Sequence, residues 1–341
     1  MAGAETGSPR LSRPKAWLKT LGLDWYIAAI VGMVVLASVL PARGAAAPIV
    51  SDLTKAGIAL VFFLHGAKLS QEAVIKGLLH WRLHGLVLAT TFVLWPVLGL
   101  GAAALPGWLV PAVLAPGLVY LACLPSTIQS AIGFTAIGKG NVAAAVCGAS
   151  VSNLLGMFLT PLLVGMLLGA EGGGLSFSSF EAILLQLLAP FLAGQILRRW
   201  IGQWIARHAK PLGMVDKVSI LLVVYNAFSG AVVAGIWSKV SAFDLGRIIV
   251  ICLALLALTL GFMIWIARVR GFSKEDEIAI AFAGCNKSLA AGVPMAGVLF
   301  PAATVGFVLL PVMLYHQFQL MLCAALAQRY AHRPLQEPSH D

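Results

Sequence analysis

Residues 123–147 read CLPSTIQSAIGFTAIGKGNVAAAVC, and residues 281–292 read AFAGCNKSLAAG. Both lie in surroundings made mostly of Leu, Val, Ala and Gly. Yet the first carries Ser126, Thr127, Gln129, Ser130 and Thr135, and the second carries Asn286, Lys287 and Ser288. Polar groups in a lipid-embedded run need partners that lipid does not supply. Both stretches also hold helix breakers. Pro125 has no N–H, and Gly284, Gly292 and Pro294 weaken the second stretch. A helix interrupted in mid-membrane frees N–H and carbonyl groups, and its half-helix ends carry partial charges.

The rest of the chain sets both stretches in lipid. It is 60% hydrophobic and 11% charged over 341 residues, against about 25% charged in a soluble domain. Apolar runs of membrane-spanning length fall near 22–40, 51–67, 83–104, 109–137, 142–169, 178–197, 218–238, 245–267, 276–297 and 303–328. They are continuous where barrel strands would alternate, so the fold class is an all-α polytopic membrane protein with ten transmembrane helices. The fourth and ninth spans carry the interruptions.

Charge placement orients the spans. With the N-terminus inside, 18 of the 23 Lys and Arg lie on the inner side, and Arg43, Lys55, Lys239 and Arg247 lie on the outer side. Lys287 alone sits well within a span. The bias places both termini in the cytoplasm of a bacterial inner (plasma) membrane, with residues 1–20 and 329–341 as tails. Basic residues spread along alternate loops exclude nucleic acid as a partner; membrane lipid and a small solute remain, with the oligomeric state left open. The cysteines (Cys123, Cys147, Cys252, Cys285, Cys323) all fall in apolar runs without a CxxC pair, and read as small hydrophobes. No HExxH, GxSxG, Walker A loop or intramembrane carboxylate pair occurs, so neither an enzyme, a metal site nor a cofactor is expected.

The two halves echo one another. Pro125 lies 102 residues beyond Leu23, and Asn286 lies 104 residues beyond Ala182. Each knot therefore falls in the fourth span of a five-span unit, 21–169 and 170–328. Five is odd, so the second unit runs through the membrane inverted. Interrupted helices at matching positions of inverted repeats point to the midplane site of a secondary transporter. If the two broken helices cross, Ser126, Thr127, Gln129, Ser130, Asn286, Lys287 and Ser288 meet at one depth as candidate substrate ligands. The bland alternative is that Ser and Thr bond back to their own helix while Pro merely kinks it. Thr90, Ser152, Asn153, His316, Gln317 and Gln319 read at least as well as interhelical hydrogen bonds.

At LPSTIQSAIGFTAIGKGNVAAAVC and GCNKSLAAGVPMA the sequence resembles the bile acid:sodium symporter family, in particular its member-seven-like branch with bacterial relatives. The resemblance covers about residues 18–330. It implies a five-plus-five inverted repeat, a panel and a core domain, crossing broken helices four and nine, and symport of bile acids and related organic anions with sodium. Pro125 and Ser130 match the family's first crossing motif, Ser126 and Thr127 replace its glycines, and Ala131 replaces its asparagine. In the ninth span Gly284 and Ser288 match, Asn286 stands for a glutamine, Lys287 for an asparagine and Phe282 for a glutamate. Thr91 stands where a third-span glutamine contributes to the sodium site.

Sodium prefers hard oxygen ligands with negative charge. Here the carboxylate is gone and a cation has been gained, so the resemblance by itself does not establish sodium dependence. Lys287, Asn286 and Thr91 become the ion-coupling candidates, with a proton or sodium as the coupling ion. Lys287 has three readings: it neutralises carbonyl ends of the broken helices, it stands in for sodium, or it exchanges a proton in each cycle. The function expected is secondary transport of a small organic anion by alternating access. A channel or facilitator, and a non-transporting regulator of the same fold, are the alternatives.

Overall fold

The computed structural model describes residues 25–68, 80–169 and 177–333. The expected N-terminal tail at 1–20 lies outside them, as do residues 334–341 of the expected C-terminal tail. Among the described residues every regular element is helical. In chain order these are α1 (Trp25–Val39), α2 (Ala46–Lys68), α3 (Trp81–Ala103), α4 (Ala115–Cys123), α5 (Ile128–Ile137), α6 (Val142–Leu168), α7 (Phe177–Arg207) and α8 (Ala209–Val233). There follow α9 (Ile236–Lys239), α10 (Ala242–Val269), α11 (Lys274–Cys285), α12 (Leu289–Leu299) and α13 (Ala302–Ala331).

Among the described residues seven helices are long and apolar enough to cross a membrane: α2, α3, α6, α8, α10, α13 and the pair α11–α12, Lys274–Leu299, taken together. The pair α4–α5, bent by 67°, makes an eighth if taken as one span. The protein is thus a multi-pass membrane protein. The two remaining expected spans, 22–40 and 178–197, fall partly on residues or side chains outside the described set.

Local chemistry fixes where helices start. Ser241 and Asp244 form a capping box at α10, and Ser273 accepts from the Asp276 N–H at the start of α11. Glu275, Asp276 and Glu277 crowd the first turn of α11, where negative charge meets the positive end of the helix dipole. Glu277 is buried there and accepts from Arg268 Nε (3.0 Å), Lys274 Nζ (2.6 Å) and Tyr330 Oη (2.8 Å), which ties α11 to α10 and α13.

Two packing groups meet along α7 and α8, α7 packing on α6 and α12. In one, α2 packs along α7, and α8 packs on α1 and α2. In the other, α3, α4, α5, α6, α10 and α13 surround α11–α12. The α11–α12 span is the centre: 94% of its apolar window is buried, against 28–50% for the other long spans. α8 bridges the groups by packing on both α12 and α13.

The α2–α7 contact is close enough to depend on glycine. A Cβ at Gly66 would lie 2.0 Å from the Phe191 carbonyl oxygen, and a Cβ at Gly194 would lie 2.0 Å from that of Phe63. Either methyl group would force two backbones apart. Gly66→Ala and Gly194→Ala are each expected to destabilise the detergent-solubilised protein by about 1–3 kcal/mol, the usual cost of overpacking. Gly85→Ala, which meets nothing within 4 Å, serves as the tolerated control. Unfolding curves for the three variants check this, and a Gly194→Ala protein as stable as Gly85→Ala would refute the close crossing.

Candidate functional site

Both polar knots are breaks in the backbone. Leu124 and Thr127 are extended (ψ 148° and 134°) between α4 and α5, as are Asn286 and Ser288 (ψ 139° and 106°) between α11 and α12. The breaks cross and bond to one another. The Ser288 N–H donates to the Pro125 carbonyl at 2.9 Å, and Ser126 Oγ donates to the Ala283 carbonyl at 2.6 Å. Proline and serine at 125–126 thus serve the crossing rather than a simple kink.

Lys287 fills the crossing. It is 1% exposed, and its Nζ donates to three main-chain carbonyls: Leu124 (2.7 Å), Ala122 (2.8 Å) and Thr91 (3.2 Å). The ammonium also lies 4.7 Å from the centroid of the Trp95 ring, a cation–π contact. Two of the carbonyls belong to the C-terminal end of α4, where the helix dipole is negative. The third is released by a π-helical turn, Thr90–Leu94, in α3. There the Trp95 N–H bonds to the Thr90 carbonyl, five residues back instead of four, which leaves the Thr91 carbonyl free. The Thr91 hydroxyl turns away and donates to the Val87 carbonyl.

Neutral donors serve four more of the freed carbonyls. Thr160 Oγ1 donates to Cys123 O (2.8 Å) and Asn153 Nδ2 to Ser126 O (2.5 Å). Trp95 Nε1 donates to Gly284 O (3.0 Å) and Tyr315 Oη to Cys285 O (2.6 Å). Gln319 clasps Lys287 from both sides, Oε1 accepting from its N–H (2.8 Å) and Nε2 donating to its carbonyl (2.9 Å). Ser152 Oγ accepts from the Ser126 N–H at 3.0 Å. Pro125 seats against Gly156 of α6, where a Cβ would approach the proline ring to 2.6 Å.

The candidate residues divide by place. Ser126, Asn286, Lys287 and Ser288 meet in the crossing, and the Thr91 carbonyl joins them. Asn286 Nδ2 reaches Ser130 Oγ at 3.4 Å, linking the second break to α5. Ser288 Oγ caps α12 by accepting from the Ala291 N–H. Thr127 is buried at the N-cap of α5 without a side-chain capping bond. Ser130 is half-buried, and Gln129 is exposed on the first turn of α5, outside the crossing. Trp95, Tyr120 and Tyr315 were not singled out in sequence. Each places one polar tip on a carbonyl of the ninth span, Tyr120 Oη on Gly292 at 2.6 Å. An indole or phenol deep in an apolar span is the signal that marks them.

Removing Lys287 orphans three buried carbonyls at once. Lys287→Met is therefore expected to destabilise the protein, by about 1–3 kcal/mol for each carbonyl left without a donor. Gln129→Ala should stay within about 0.5 kcal/mol. Denaturant unfolding of both purified variants gives the comparison, and equal midpoints would remove the ammonium from its structural role.

The geometry can now be set beside known proteins. The profile of the SBF-like CPA transporter family (DUF4137) matches residues 24–332. An uncharacterised protein of Pseudomonas aeruginosa is 54% identical over 91% of this chain and 93% of its own length. YfeH of Escherichia coli (strain K12), a proposed symporter, is 51% identical over 90% of this chain and 93% of its own. Sodium/bile acid cotransporter 7 of Rattus norvegicus is 28% identical over 91% and 93%. The match spans nearly the whole chain, both breaks included, and relatives named for a function are transporters and not enzymes. The chain belongs to the SBF-like CPA transporter family.

Proposed function

We propose that the protein is a secondary transporter of a small organic anion, working by alternating access around the α4–α5 and α11–α12 crossing. Ten spans in a five-plus-five inverted repeat, 21–169 and 170–328, with both termini in the cytoplasm of a bacterial inner membrane, complete the proposal. The observation that carries it is the crossing itself: two interrupted helices whose freed backbone groups are held by side chains from α3, α6 and α13. Such discontinuous helices put half-helix dipoles at the membrane midplane, where substrate sites of secondary transporters form.

The anion follows from the open end of α5. No side chain caps its first turn, so its free N–H groups and the positive end of its dipole offer a site to negative charge. Gln129 and Ser130 flank that turn and add donors. Relatives named as sodium/bile acid cotransporters support an organic anion as the solute class.

Among the three roles open to Lys287, its geometry favours a stand-in for a coupling cation. All three ammonium N–H groups point at carbonyl oxygens, which leaves none for a substrate, and among the described residues no carboxylate pairs with it. A fixed cation in that cage makes transport independent of sodium. The protein reconstituted in liposomes is expected to take up a radiolabelled bile acid or smaller organic anion saturably, with rates in sodium and potassium media agreeing within about twofold. Gln129→Ala and Ser130→Ala should each raise KM several-fold, about 1 kcal/mol per lost hydrogen bond, with expression unchanged. A saturable sodium requirement would overturn the stand-in role. Ohmic current would make the protein a channel, and no flux of any tested anion would leave a regulator. Cysteines introduced at 207–210, between α7 and α8, should resist labelling from outside the cell; reaction there would reverse the proposed orientation.

A further inference from the structure

Away from the crossing, a cavity of about 930 Å³ opens where α2 ends beside α7. Ala67 and Lys68 form one wall, the α7 face from Gln195 to Ala206 forms the floor, and Ala209 closes it at the start of α8. Three cations line it: Lys68, Arg198 and Arg199. Asp216 pairs with Lys68 at 2.8 Å. Neither arginine has an acidic partner among the described residues, so the lining keeps an excess of positive charge.

The same helix carries an apolar stripe leading out of the cavity. Leu192 and Ile196 are exposed and share a face with Arg199, at i, i+4 and i+7. Trp200 and Trp204, one turn apart, are 60% and 55% exposed, and the Arg199 guanidinium lies 3.7 Å from the centroid of the Trp200 ring. Exposed tryptophan belongs at the headgroup level of a membrane, and arginine presents a planar fork that matches phosphate oxygens. A soluble anion would use the arginines and leave the stripe bare. A lipid uses both.

We propose that this cavity binds the phosphate of an anionic phospholipid, Arg198 and Arg199 holding the headgroup while the acyl chains lie along Leu192 and Ile196. It is a site separate from the helix crossing, and it needs no assumption about what the protein transports.

The test is thermal stabilisation of the full-length protein in detergent by added dioleoyl phosphatidylglycerol or dioleoyl phosphatidylcholine. The glycerol lipid is expected to act at about tenfold lower concentration, since each cation near a headgroup favours an anionic lipid by roughly a factor of several. R198Q/R199Q should abolish that difference and leave the weak effect of phosphatidylcholine unchanged. Equal potency of the two lipids on the unaltered protein, or an intact difference in the double variant, would overturn the proposal. So would displacement of phosphatidylglycerol by millimolar inorganic phosphate, which would make the cavity a soluble-anion site. Should the double variant fail to fold, the unaltered protein in 0.5 M sodium chloride decides: the advantage of phosphatidylglycerol must shrink there, and persistence at full strength would refute the proposal.

Discussion

A carbonyl released in the middle of a membrane has no water to accept from, and each one left bare is costly. Two helix breaks at one depth release many at once, and the surrounding structure is arranged to supply them with donors. From Ala122 to Ser126 every carbonyl has a partner, in turn Lys287, Thr160, Lys287, the Ser288 N–H and Asn153. Ala283, Gly284, Cys285 and Lys287 receive Ser126, Trp95, Tyr315 and Gln319. The donors come from helices distant in sequence, so the packing of α3, α6 and α13 around α11–α12 is what this supply requires.

The lysine fits the same logic. Placing an ammonium at the centre of a bilayer costs roughly 2.5–3.5 kcal/mol on insertion scales. Hydrogen bonds to a charged donor contribute about 1.5–3 kcal/mol each. Three of them, at the lower figure, already exceed the insertion cost. Held as an ammonium, Lys287 thus has its cost offset by its three carbonyl partners. The two packing groups meet where α8 packs on α12 and α13 and where α7 packs on α6 and α12, and alternating access as proposed would need those contacts to shift.

Much of this was legible in the chain. Lys287 and Pro125 are conspicuous in apolar runs, and the need for carbonyl partners follows from lipid alone. Which carbonyls, and from which helix, did not follow, because Thr91 and Leu124 lie far from Lys287 in sequence and meet it only through folding. The π-helical turn that frees Thr91 has no local marker beyond Pro96, whose missing N–H already disturbs the ladder there. Periodicity could not separate Gln317 from Gln319, yet one turns its side chain to the break and the other leaves a buried amide nitrogen unpartnered. Gln129 shows the converse: polar, inside the knot, and exposed on the first turn of α5 without a bond to the crossing.

Phe282 gives the sharpest account of why the carbonyl cage and its cation belong together. It stands where the resemblance implies a sodium-binding carboxylate, and it is fully buried, its ring 5.7 Å from Phe134 and 6.3 Å from Tyr330 between centroids. An apolar ring in that place fills the volume a carboxylate and its ion would share and offers no oxygen to a metal. The carbonyls of Thr91, Ala122 and Leu124 gather negative partial charge at one point, which calls for a donor. Lys287, five residues along the same span, supplies three N–H donors to it from a tether that cannot diffuse. Under the proposed stand-in role these two features belong together: a tethered cation in a carbonyl cage, and an apolar ring where a carboxylate would otherwise accompany a diffusible ion.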